Sequence, residues 1–329
     1  MATGVEPADV GLREFEDRDY ARLAEIEAAI DPESAASAEL LRERDSIDEP
    51  RIRVRRFAAE TPTGLLVGAG RVMNIWFNFH PRKYVVHIRV DPAWQRRGVG
   101  STLLGRLLAE LHEWNAALVR TETRESSAAA ITFLEHRGFN EWRRLWTSVL
   151  DIAGARTDSL READRRVAAS GITVTTYAAE QRRRGHALAH DVWQLEDFIF
   201  RADRNNASEG EGMSFERFVA TELDFSEALP DAHFLAFAGD QLVGVSRLAR
   251  DGDRPGTLGQ AFTGTHPEFR VRGIAQALKL RTIEYAQAHG YREIRTTNDS
   301  TNDPMLHINA AIGFRRGPAI LVFERRLAE

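Results

Sequence analysis

The stretch that decides the fold is Val90-Asp91-Pro92-Ala93-Trp94-Gln95-Arg96-Arg97-Gly98-Val99-Gly100-Ser101. An apolar, β-branched run from Tyr84 to Val90 precedes the turn and predicts a strand, and leucines spaced three and four apart follow it and predict a helix. Glycine lets the backbone approach a ligand closely, and the first turn of a helix presents unpaired N–H groups at the positive end of its dipole. The stretch therefore predicts a binding site for a phosphate or pyrophosphate.

The same design recurs 175 residues later, in Thr265-His266-Pro267-Glu268-Phe269-Arg270-Val271-Arg272-Gly273-Ile274-Ala275. One ungapped offset also carries Arg120-Thr121 onto Arg295-Thr296 and Gly138-Phe139 onto Gly313-Phe314. Two unrelated strand–turn–helix units would share this register only by accident. The chain is therefore predicted to contain two similar halves.

The pattern Gln/Arg-x-x-Gly-x-Gly/Ala, placed between a strand and a helix, resembles the acetyl-CoA motif of the GCN5-related N-acetyltransferase (GNAT) superfamily. Residues 95–100 match it fully, and residues 270–275 match it with Ala275 in the last place. The Gly-Phe pair after a short helix is also the usual close of that family. The resemblance covers nearly the whole chain as two consecutive domains, a layout similar to that of mycothiol synthase-like proteins.

The predicted fold is therefore α/β (α+β), with two tandem GNAT-like domains. Each domain is expected to have a mixed, mostly antiparallel central sheet flanked by helices. The expected bounds are 1–152 for the N-terminal domain and 171–329 for the C-terminal domain. Residues 153–170 are charged and polar, with helical potential in 157–168, and are predicted to form a linker.

Composition narrows the class of protein. The chain has 329 residues, 43% of them hydrophobic, which suits two domains with a proper core each. It contains no run of eighteen apolar residues and no recognisable targeting segment, so we expect a soluble, cytoplasmic protein with no membrane partner. The net charge of −5 argues against nucleic acid as a partner. Heavy use of arginine and alanine suggests a bacterial source.

The absence of cysteine restricts the chemistry. It excludes disulfides, thiolate metal sites and a cysteine nucleophile, so an acetyl group would pass directly from thioester to acceptor. We also expect no metal, because His266 and His307 have no third ligand at suitable spacing.

The resemblance implies acetyl-CoA as the donor substrate, with its pyrophosphate on the two turns. The family takes a donor for the thioester oxygen from a backbone N–H of the strand before the turn. The residues expected to bind the donor are Val90, Gln95, Arg96, Arg97, Gly98, Val99, Gly100, Ser101, Thr265, Arg270, Val271, Arg272, Gly273, Ile274 and Ala275.

Catalytic residues are harder to assign, because two that many relatives carry are missing. Neither strand before a turn has the glutamate that serves as a base, and the place of the tyrosine that protonates the thiolate holds Leu134 or Asn309. A subset of the family uses asparagines, and the second half keeps both Asn302 and Asn309, whereas the first half has Ser127 at the earlier place. We therefore expect the C-terminal domain to be the catalytic one.

Each of the other candidate polar residues has two possible roles. His87 could be a base or a structural histidine, and Glu122 could face the cleft or form a surface salt bridge. Trp193, Glu196 and Asp197 stand where the family walls its acceptor site, although a solvated helix end is the alternative.

The leading hypothesis for function is an N-acetyltransferase that acts on a primary amine of a small molecule. Asp203 to Gly212 looks like a lid loop over such a small site. The alternatives are an acyl-CoA-binding regulatory protein without turnover and a protein N-acetyltransferase. A monomer or a homodimer is expected.

Overall fold

The structure, a computed structural model, describes residues 9–33, 36–202, 210–252 and 254–327. Residues 203–209 of the predicted lid loop lie outside this described part. No helix within it is both long enough and apolar enough to cross a membrane.

The chain divides into two compact units. The first unit comprises Met1–Thr123, Ala128–Trp142 and Val322–Glu329, and the second comprises Arg124–Ser127 and Arg143–Leu321. Each unit contains one glycine turn with the strand before it and the helix after it.

Eleven helices and strands lie in whole or in part in the first unit, among the residues that the structure describes. They are β1 (Gly11–Glu14), α1 (Tyr20–Ile30), α2 (Ala38–Ser46), β2 (Val54–Glu60), β3 (Leu66–Asn74), β4 (Asn78–Phe79), β5 (Lys83–Val90), α3 (Val99–Glu113), β6 (Leu118–Arg124), α4 (Ala128–Glu135) and β7 (Asn140–Asp151). The sheet order is β1-β2-β3-β5-β6, and only β5 and β6 are parallel neighbours.

The second unit repeats this plan. Its elements are α5 (Asp158–Ala169), β8 (Ile172–Thr176), α6 (Tyr177–Arg184), α7 (Ala187–Arg201), β9 (Glu211–Gly212), α8 (Phe215–Phe218), β10 (Ala228–Ala238), β11 (Gln241–Arg250), β12 (Thr257–Thr265), α9 (Ile274–Ala288), β13 (Glu293–Asp299), α10 (Asp303–Ile312) and β14 (Arg315–Arg326). The sheet order is β8-β10-β11-β12-β13-β7, with only β12 and β13 parallel. The predicted class, mixed and mostly antiparallel strands with flanking helices in each unit, is confirmed.

The compact units differ from the predicted halves at the closing strands. From Arg143 onward β7 belongs to the second unit, where it pairs antiparallel with β13. The end of β14 belongs to the first unit, where the N–H of Leu327 donates to the carbonyl of Ala117 at 3.0 Å. Alternation predicts that a segment is a strand but does not name its neighbour. The bounds 1–152, 153–170 and 171–329 stay a prediction about the repeated halves.

The segment predicted as a linker contains a packed helix. Leu160, Ala163 and Val167 of α5 are at most 1% exposed, and Arg281 of α9 contacts Asp164 at 2.8 Å. Their spacing of three and four residues puts these apolar side chains on one face. α5 is therefore part of the core of the second unit.

Two glycines set the distance between each sheet and the helix after its turn. A Cβ on Gly68 of β3 would lie 3.2 Å from Val99, and one on Gly244 of β11 would lie 2.7 Å from Ile274. Val99 and Ile274 are the first residues of α3 and α9. The first turn of each helix can therefore lie directly against its sheet.

Lys279 on α9 occupies a position that suits an apolar residue. It is 2% exposed, its ammonium lies 5.3 Å from the ring centre of Phe314, and among the described residues no carboxylate pairs with it. Burial lowers the pKa of Lys279 from 10.5 to about 7. The corresponding residue 175 positions earlier is Leu104, which is 3% exposed.

Lys279→Leu is expected to raise the free energy of unfolding by about 2–4 kcal/mol at pH 7. The folded pKa lies below the unfolded one, so the unfolded chain binds more protons between pH 7 and about 10.5, and the stability of the wild type rises with pH there. The advantage of the variant should therefore shrink toward pH 10.5. Urea unfolding followed across this range measures both effects.

Leu104→Lys is the matched control in the first unit. It should destabilise the protein with the same pH dependence. A Lys279→Leu variant less stable than the wild type at pH 7 would contradict this account.

Candidate functional site

The two glycine turns share an unusual backbone conformation. Gly98 and Gly273, directly before α3 and α9, have φ of 90° and 87°. Two residues earlier, Arg96 and Val271 have φ of 63° and 64°. Positive φ is uncommon for any side chain and costly for a β-branched one such as Val271. The recurrence of this strain at both turns points to a backbone shaped for a ligand.

Each turn presents a row of N–H groups with no acceptor among the described residues. These rows are residues 96–100, the first anion cradle, and residues 271–275, the second anion cradle. Internal bonding resumes where the N–H of Ser101 donates to Gly98 at 2.9 Å and that of Ala277 donates to Gly273 at 2.9 Å. Free N–H groups at the positive end of a helix dipole bind phosphate groups.

Arginines stand at the rim of both cradles. In the first unit Arg97 lies over the ring of Trp94 at 5.2 Å, and Arg137 donates to the hydroxyl of Ser101 at 2.6 Å. In the second unit Arg272 lies over the ring of Phe269 at 4.8 Å. The guanidinium groups of Arg97 and Arg272 therefore stand beside the cradles, and their role in holding a phosphate stays a prediction.

The cradles differ in what covers them. A Cβ on Gly273 would lie 3.3 Å from the Cβ of Ala163 on α5, whereas a Cβ on Gly98 would have no atom within 4 Å. Helix α5 therefore forms one wall of the second cradle, and the first cradle is open at the corresponding place.

Beside each cradle two parallel strands separate and leave a wedge. In the first unit β5 pairs with β6 only over Lys83–Val85, and in the second unit β12 pairs with β13 only over Thr257–Gly259. The rest of β5 and β12, up to the cradles, has no strand partner on that side within the described parts of the chain. We call these openings the first wedge and the second wedge.

Backbone donors face both wedges. The N–H of Asp91 donates to Val67 of β3, so by the alternation of an antiparallel ladder the N–H of Val90, and that of Ile88, points into the first wedge. In the same way the N–H of His266 donates to Val243 of β11, which turns the N–H of Thr265 toward the second wedge. These are the positions where a thioester oxygen would need a donor.

Two buried side-chain oxygens beside the second wedge have no hydrogen-bond partner among the described residues. They are the hydroxyl oxygen of Thr265, which is 9% exposed, and the side-chain oxygen of Asn309, which is 2% exposed. The amide nitrogen of Asn309 donates to Asn298 on β13 at 2.8 Å, which places Asn309 on the far wall of the second wedge. Unpartnered buried polar groups are costly, so these atoms are free to receive a ligand.

Comparison with known proteins identifies the family. The model of the acetyltransferase (GNAT) family matches residues 18–139 and again residues 189–314, so each match includes one cradle. The chain belongs to the acetyltransferase (GNAT) family. It is a tandem member, as the sequence predicted.

The similar proteins include an enzyme named for a ribosomal protein and one named for mycothiol. A segment of 55 residues, 17% of this chain, is 47% identical to the ribosomal protein bS18-alanine N-acetyltransferase of Escherichia coli and spans 37% of that enzyme's length. A mycothiol acetyltransferase of Nocardioides sp. is 25% identical over 233 residues, 68% of this chain and 74% of the relative. Among solved structures, a tandem GNAT protein from the clavulanic acid biosynthesis pathway has a TM-score of 0.73 at 18% identity, over 97% of this chain and 99% of that one.

The GNAT family uses acetyl-CoA, and the residues present fit that donor substrate. The free N–H rows suit its pyrophosphate, and the wedges suit its extended arm. Thr265 and Asn309 offer acceptors for N–H groups of the arm in the second unit. The predicted donor-binding residues lie on the cradles or at the strand ends that lead into them, and their roles stay predictions.

The two predicted catalytic asparagines have different surroundings. Asn302 precedes α10, and its side-chain oxygen accepts the N–H of Met305 at 3.3 Å, so it caps the helix. Asn309 faces the interior beside the second wedge. The structure thus brings Asn309, rather than Asn302, next to the second wedge.

The first wedge contains ionisable side chains that the second lacks. His87 and Arg89 project from β5, and Glu122 projects from β6 just beyond the last pair of the two strands. Burial, together with Arg89 and Arg71, lowers the pKa of His87 to about 3, so the imidazole is neutral. Burial also raises the pKa of Glu122 above its ordinary value, and Arg89 opposes this shift.

The predicted acceptor residues on α7 already have partners within the second unit. The indole N–H of Trp193 donates to the carbonyl of Met213 at 2.8 Å, and Asp197 accepts from Arg201 at 2.8 Å. Glu196 is buried and faces the sheet, where it pairs with Arg247 of β11. Burial, more than Arg247 can offset, raises the pKa of Glu196 to about 7.

Sequence reasoning missed the buried ionic cluster around Glu196. Arg247 also pairs with Glu222, and His233 of β10 lies 4.0 Å from Glu196 while it stacks on the ring of Tyr177. The available signal was Arg247 itself, an arginine within the apolar run of β11.

An open pocket of about 770 Å³ lies beside α7 in the second unit. Its lining includes Trp193, Asp197 and Arg201 of α7 and Asp240 of the β10–β11 turn, and it extends to His266, the residue after Thr265. Glu196 is not part of the lining, so only two of the three predicted acceptor residues meet there. Within the described ranges no group of three or more histidine or acidic side chains could hold a metal ion.

Gly98→Val and Gly273→Val are each expected to abolish one of two acetyl-CoA binding events per chain, measured by calorimetry. Valine at these φ values costs on the order of 1–3 kcal/mol, so the turn should change conformation and its N–H groups should no longer converge. Gly273→Val should also lower the melting temperature more, because Ala163 lies against that glycine.

Gly105→Ala in α3 is the matched control, because a Cβ there would meet no atom within 4 Å and the residue lies away from the cradle. It should keep both binding events and slightly raise stability. Two binding events in Gly98→Val or in Gly273→Val would contradict the assignment of that cradle.

Proposed function

We propose that the protein transfers an acetyl group from acetyl-CoA directly to a primary amine of a small molecule, with the second unit as a catalytic site. The observation that carries this proposal is the coincidence, in the second unit, of a free N–H row with two buried, unpartnered oxygens. Thr265 stands at the entrance of the second wedge and Asn309 stands on its far wall. A ligand with a diphosphate and an amide-bearing arm satisfies both features.

The chemistry can proceed without a strong base in the second unit. Freeing the lone pair of an alkylamine with a pKa of about 10.4 costs about 4–5 kcal/mol at pH 7. Holding amine and thioester together contributes ~7–11 kcal/mol. The amine nitrogen then attacks the thioester carbon, and the N–H of Thr265 is placed to stabilise the negative oxygen that develops.

Asn309 is assigned to the donor rather than to proton transfer. Its side-chain oxygen can accept an N–H of the arm, while its amide nitrogen is held by Asn298. An asparagine is no acid, so the thiolate takes its proton from the acceptor or from water. Asn302 supports α10 from its first turn.

The lining of the pocket beside α7 favours a small, cationic acceptor. Asp191, Asp197 and Asp240 contribute three carboxylates to its lining, against the guanidinium of Arg201. An excess of negative charge attracts an ammonium group and raises its local concentration.

A protein N-terminal amine is the second candidate acceptor. It is favoured by the 47% identity over 55 residues with an enzyme named for acetylating an alanine of a ribosomal protein. That match covers only 17% of this chain, so it carries less weight than the charge of the pocket.

The test follows thiol release from acetyl-CoA with four probes: ethanolamine, spermidine, glucosamine and a hexapeptide that begins with alanine. We expect release above the rate of hydrolysis with at least one of the three small amines. Release with the peptide alone would favour the second candidate. Binding of acetyl-CoA with no release for any probe would favour a regulatory protein and overturn the proposal.

Asn309→Leu is expected to raise the KM for acetyl-CoA at the second site about 3- to 10-fold, because one hydrogen bond to the donor is lost. Leucine should fit, because Leu134 occupies the same place in the first unit and is 8% exposed. Initial rates at varied acetyl-CoA measure the change, and the melting temperature reports any loss of folding. Turnover lost through Gly98→Val but unchanged in Gly273→Val would contradict catalysis by the second unit.

A further inference from the structure

We propose that the first unit binds a carboxylate group beside its wedge, and that its acceptor is an amino acid, a primary amine that also carries a carboxylate. This inference rests on the proposed function, because it assigns an acceptor class to the other copy of the same reaction. The two units then take acceptors of different charge, since the pocket of the second unit favours a simple cation.

Three arginines and a histidine project from one face of the sheet in the first unit. Arg56 of β2 lies opposite Arg71 of β3, and Arg71 lies opposite His87 of β5. Residues directly opposite each other project on the same face, as do residues two apart on one strand, which adds Arg89. We call these four residues the arginine face.

The arginine face lies on the side of the sheet away from α3. A Cβ on Gly70 of β3 would lie 3.1 Å from Leu107 of α3, so the Gly70 position faces that helix. Arg71 is the next residue on the strand and therefore projects on the other side. Glu27 of α1 and Asp45 of α2 contact the arginine face from that side.

The arginine face extends to the first wedge. β5 pairs with β6 only over Lys83–Val85, and His87 lies two residues beyond the last pair. Arg89 follows on the open part of β5, where Ile88 and Val90 turn their N–H groups into the wedge. A ligand whose carboxylate is held by these arginines therefore has its amine beside the path of the donor's arm.

The arginine face carries one more positive charge than the carboxylates that pair with it. Asp45 pairs with Arg56 at 2.6 Å and with Arg71 at 2.8 Å. Glu27 pairs with Arg89 at 3.5 Å. Three guanidinium groups thus share two carboxylates, and an excess of one sign attracts an ion of the other. A carboxylate has the single charge that balances this excess, whereas a phosphate monoester carries about 1.5 to 2.

Two guanidinium groups of the arginine face have nitrogen atoms without a partner in the described chain. The Nε of Arg56 is buried and has no hydrogen-bond partner there. Arg89 contacts Glu27 through Nε and the carbonyl of Ile88 through Nη1, which leaves its Nη2 for a ligand. The side chains of Arg71 and Arg89 are 28% and 35% exposed, so a small molecule can reach them.

His87 lies at the bottom of the site, next to Arg71 and Arg89. Burial, together with these two guanidinium groups, lowers the pKa of His87 to about 3, yet the residue is not fully buried. This combination is expected at the bottom of a recess that is open to solvent. A neutral imidazole can donate one hydrogen bond to a carboxylate without adding charge.

Glu122 of β6 lies across the fork of the wedge from the arginines. Burial raises the pKa of this carboxyl group above its ordinary value, and Arg89 opposes the shift. Its negative charge repels a carboxylate and attracts an ammonium group. The two ends of an amino acid are therefore oriented, with the carboxylate toward the arginine face and the amine toward β6.

The corresponding arginine of the second unit is closed off from a ligand. Arg247 of β11 and Arg71 of β3 each lie three residues after the strand glycine that packs against the first turn of the helix. Arg247 pairs with Glu196 and Glu222, and its side chain is only 6% exposed. Two carboxylates around one buried guanidinium leave no positive excess, so the second unit should not bind the carboxylate.

The transfer to an amino acid balances in bonds and protons. The ammonium group loses two protons, one to the thiolate of CoA and one to water. Its nitrogen forms a bond to the thioester carbon as the carbon–sulfur bond breaks. The carboxylate does not react and stays on the arginine face, so the product is an N-acetylamino acid.

The test measures binding of such products by calorimetry, to the full chain saturated with CoA. The ligands are N-acetylglycine and N-acetyl-β-alanine, each compared with its uncharged amide, and the phosphate monoester of N-acetylethanolamine. They have no ammonium group, so the cationic pocket of the second unit does not attract them. We expect at least one acid to bind about 10-fold or more tightly than its amide, because hydrogen bonds to a charged group are the strong ones.

Arg89→Gln should weaken the binding of that acid about 10-fold and leave the affinity for CoA unchanged. Arg55→Gln is the matched control, because Arg55 lies between Val54 and Arg56 on β2, projects from the other face of the sheet and is 55% exposed. It should leave both affinities unchanged. If Arg89→Gln does not fold, the comparison of acid with amide in the wild type decides.

Thiol release with free glycine or β-alanine locates the site. It should be lost in Gly98→Val and persist in Gly273→Val, whereas the amines of the panel above should show the opposite pattern.

Three outcomes overturn this inference while the proposed function stands: equal affinity of each acid and its amide, tighter binding of the phosphate monoester than of both acids, or binding that Arg89→Gln leaves unchanged. Tight binding of an acid that depends on Arg89, with no thiol release from any amine or amino acid, would support the carboxylate site but overturn the proposed function and the acceptor class.

Discussion

Each unit depends on a row of five peptide N–H groups, between a strand and a helix, that have no acceptor among the described residues. Left-handed glycine and a strained residue before it hold these groups outward, and the helix dipole adds positive potential. The helix must also lie against the sheet, which Gly68 and Gly244 allow. The wedge opens beside this row, so a donor with its diphosphate on the row would have its arm directed along the wedge.

Two copies of one backbone carry different side chains beside the two wedges. The first wedge contains Glu122, His87 and Arg89, and the second contains buried, unpartnered Asn309 and Thr265. A fold does not determine a reaction, whereas the groups grafted on it do. We expect the two units to differ in their chemistry for this reason.

The sequence predicted the turns, the repeat and the family, because these depend on local spacing and on glycine. It did not predict the pairing of β7 with β13, because alternating hydrophobicity predicts a strand without identifying the strand that pairs with it. It predicted helical potential for 157–168 within the linker, but not that Leu160, Ala163 and Val167 of this helix are buried. The state of Glu122 and the inward direction of Glu196 depend on the three-dimensional surroundings, which no local pattern encodes.

The path of the final strand has a consequence for biosynthesis. Glu324 and Leu327 supply contacts to Arg120 and Ala117, yet they are translated after every residue of the second unit. Domains usually fold in the order in which they leave the ribosome. Here the nascent first unit has to wait, with part of its sheet uncovered, until the second is complete. The first unit thus begins to leave the ribosome before the second unit but is completed after it.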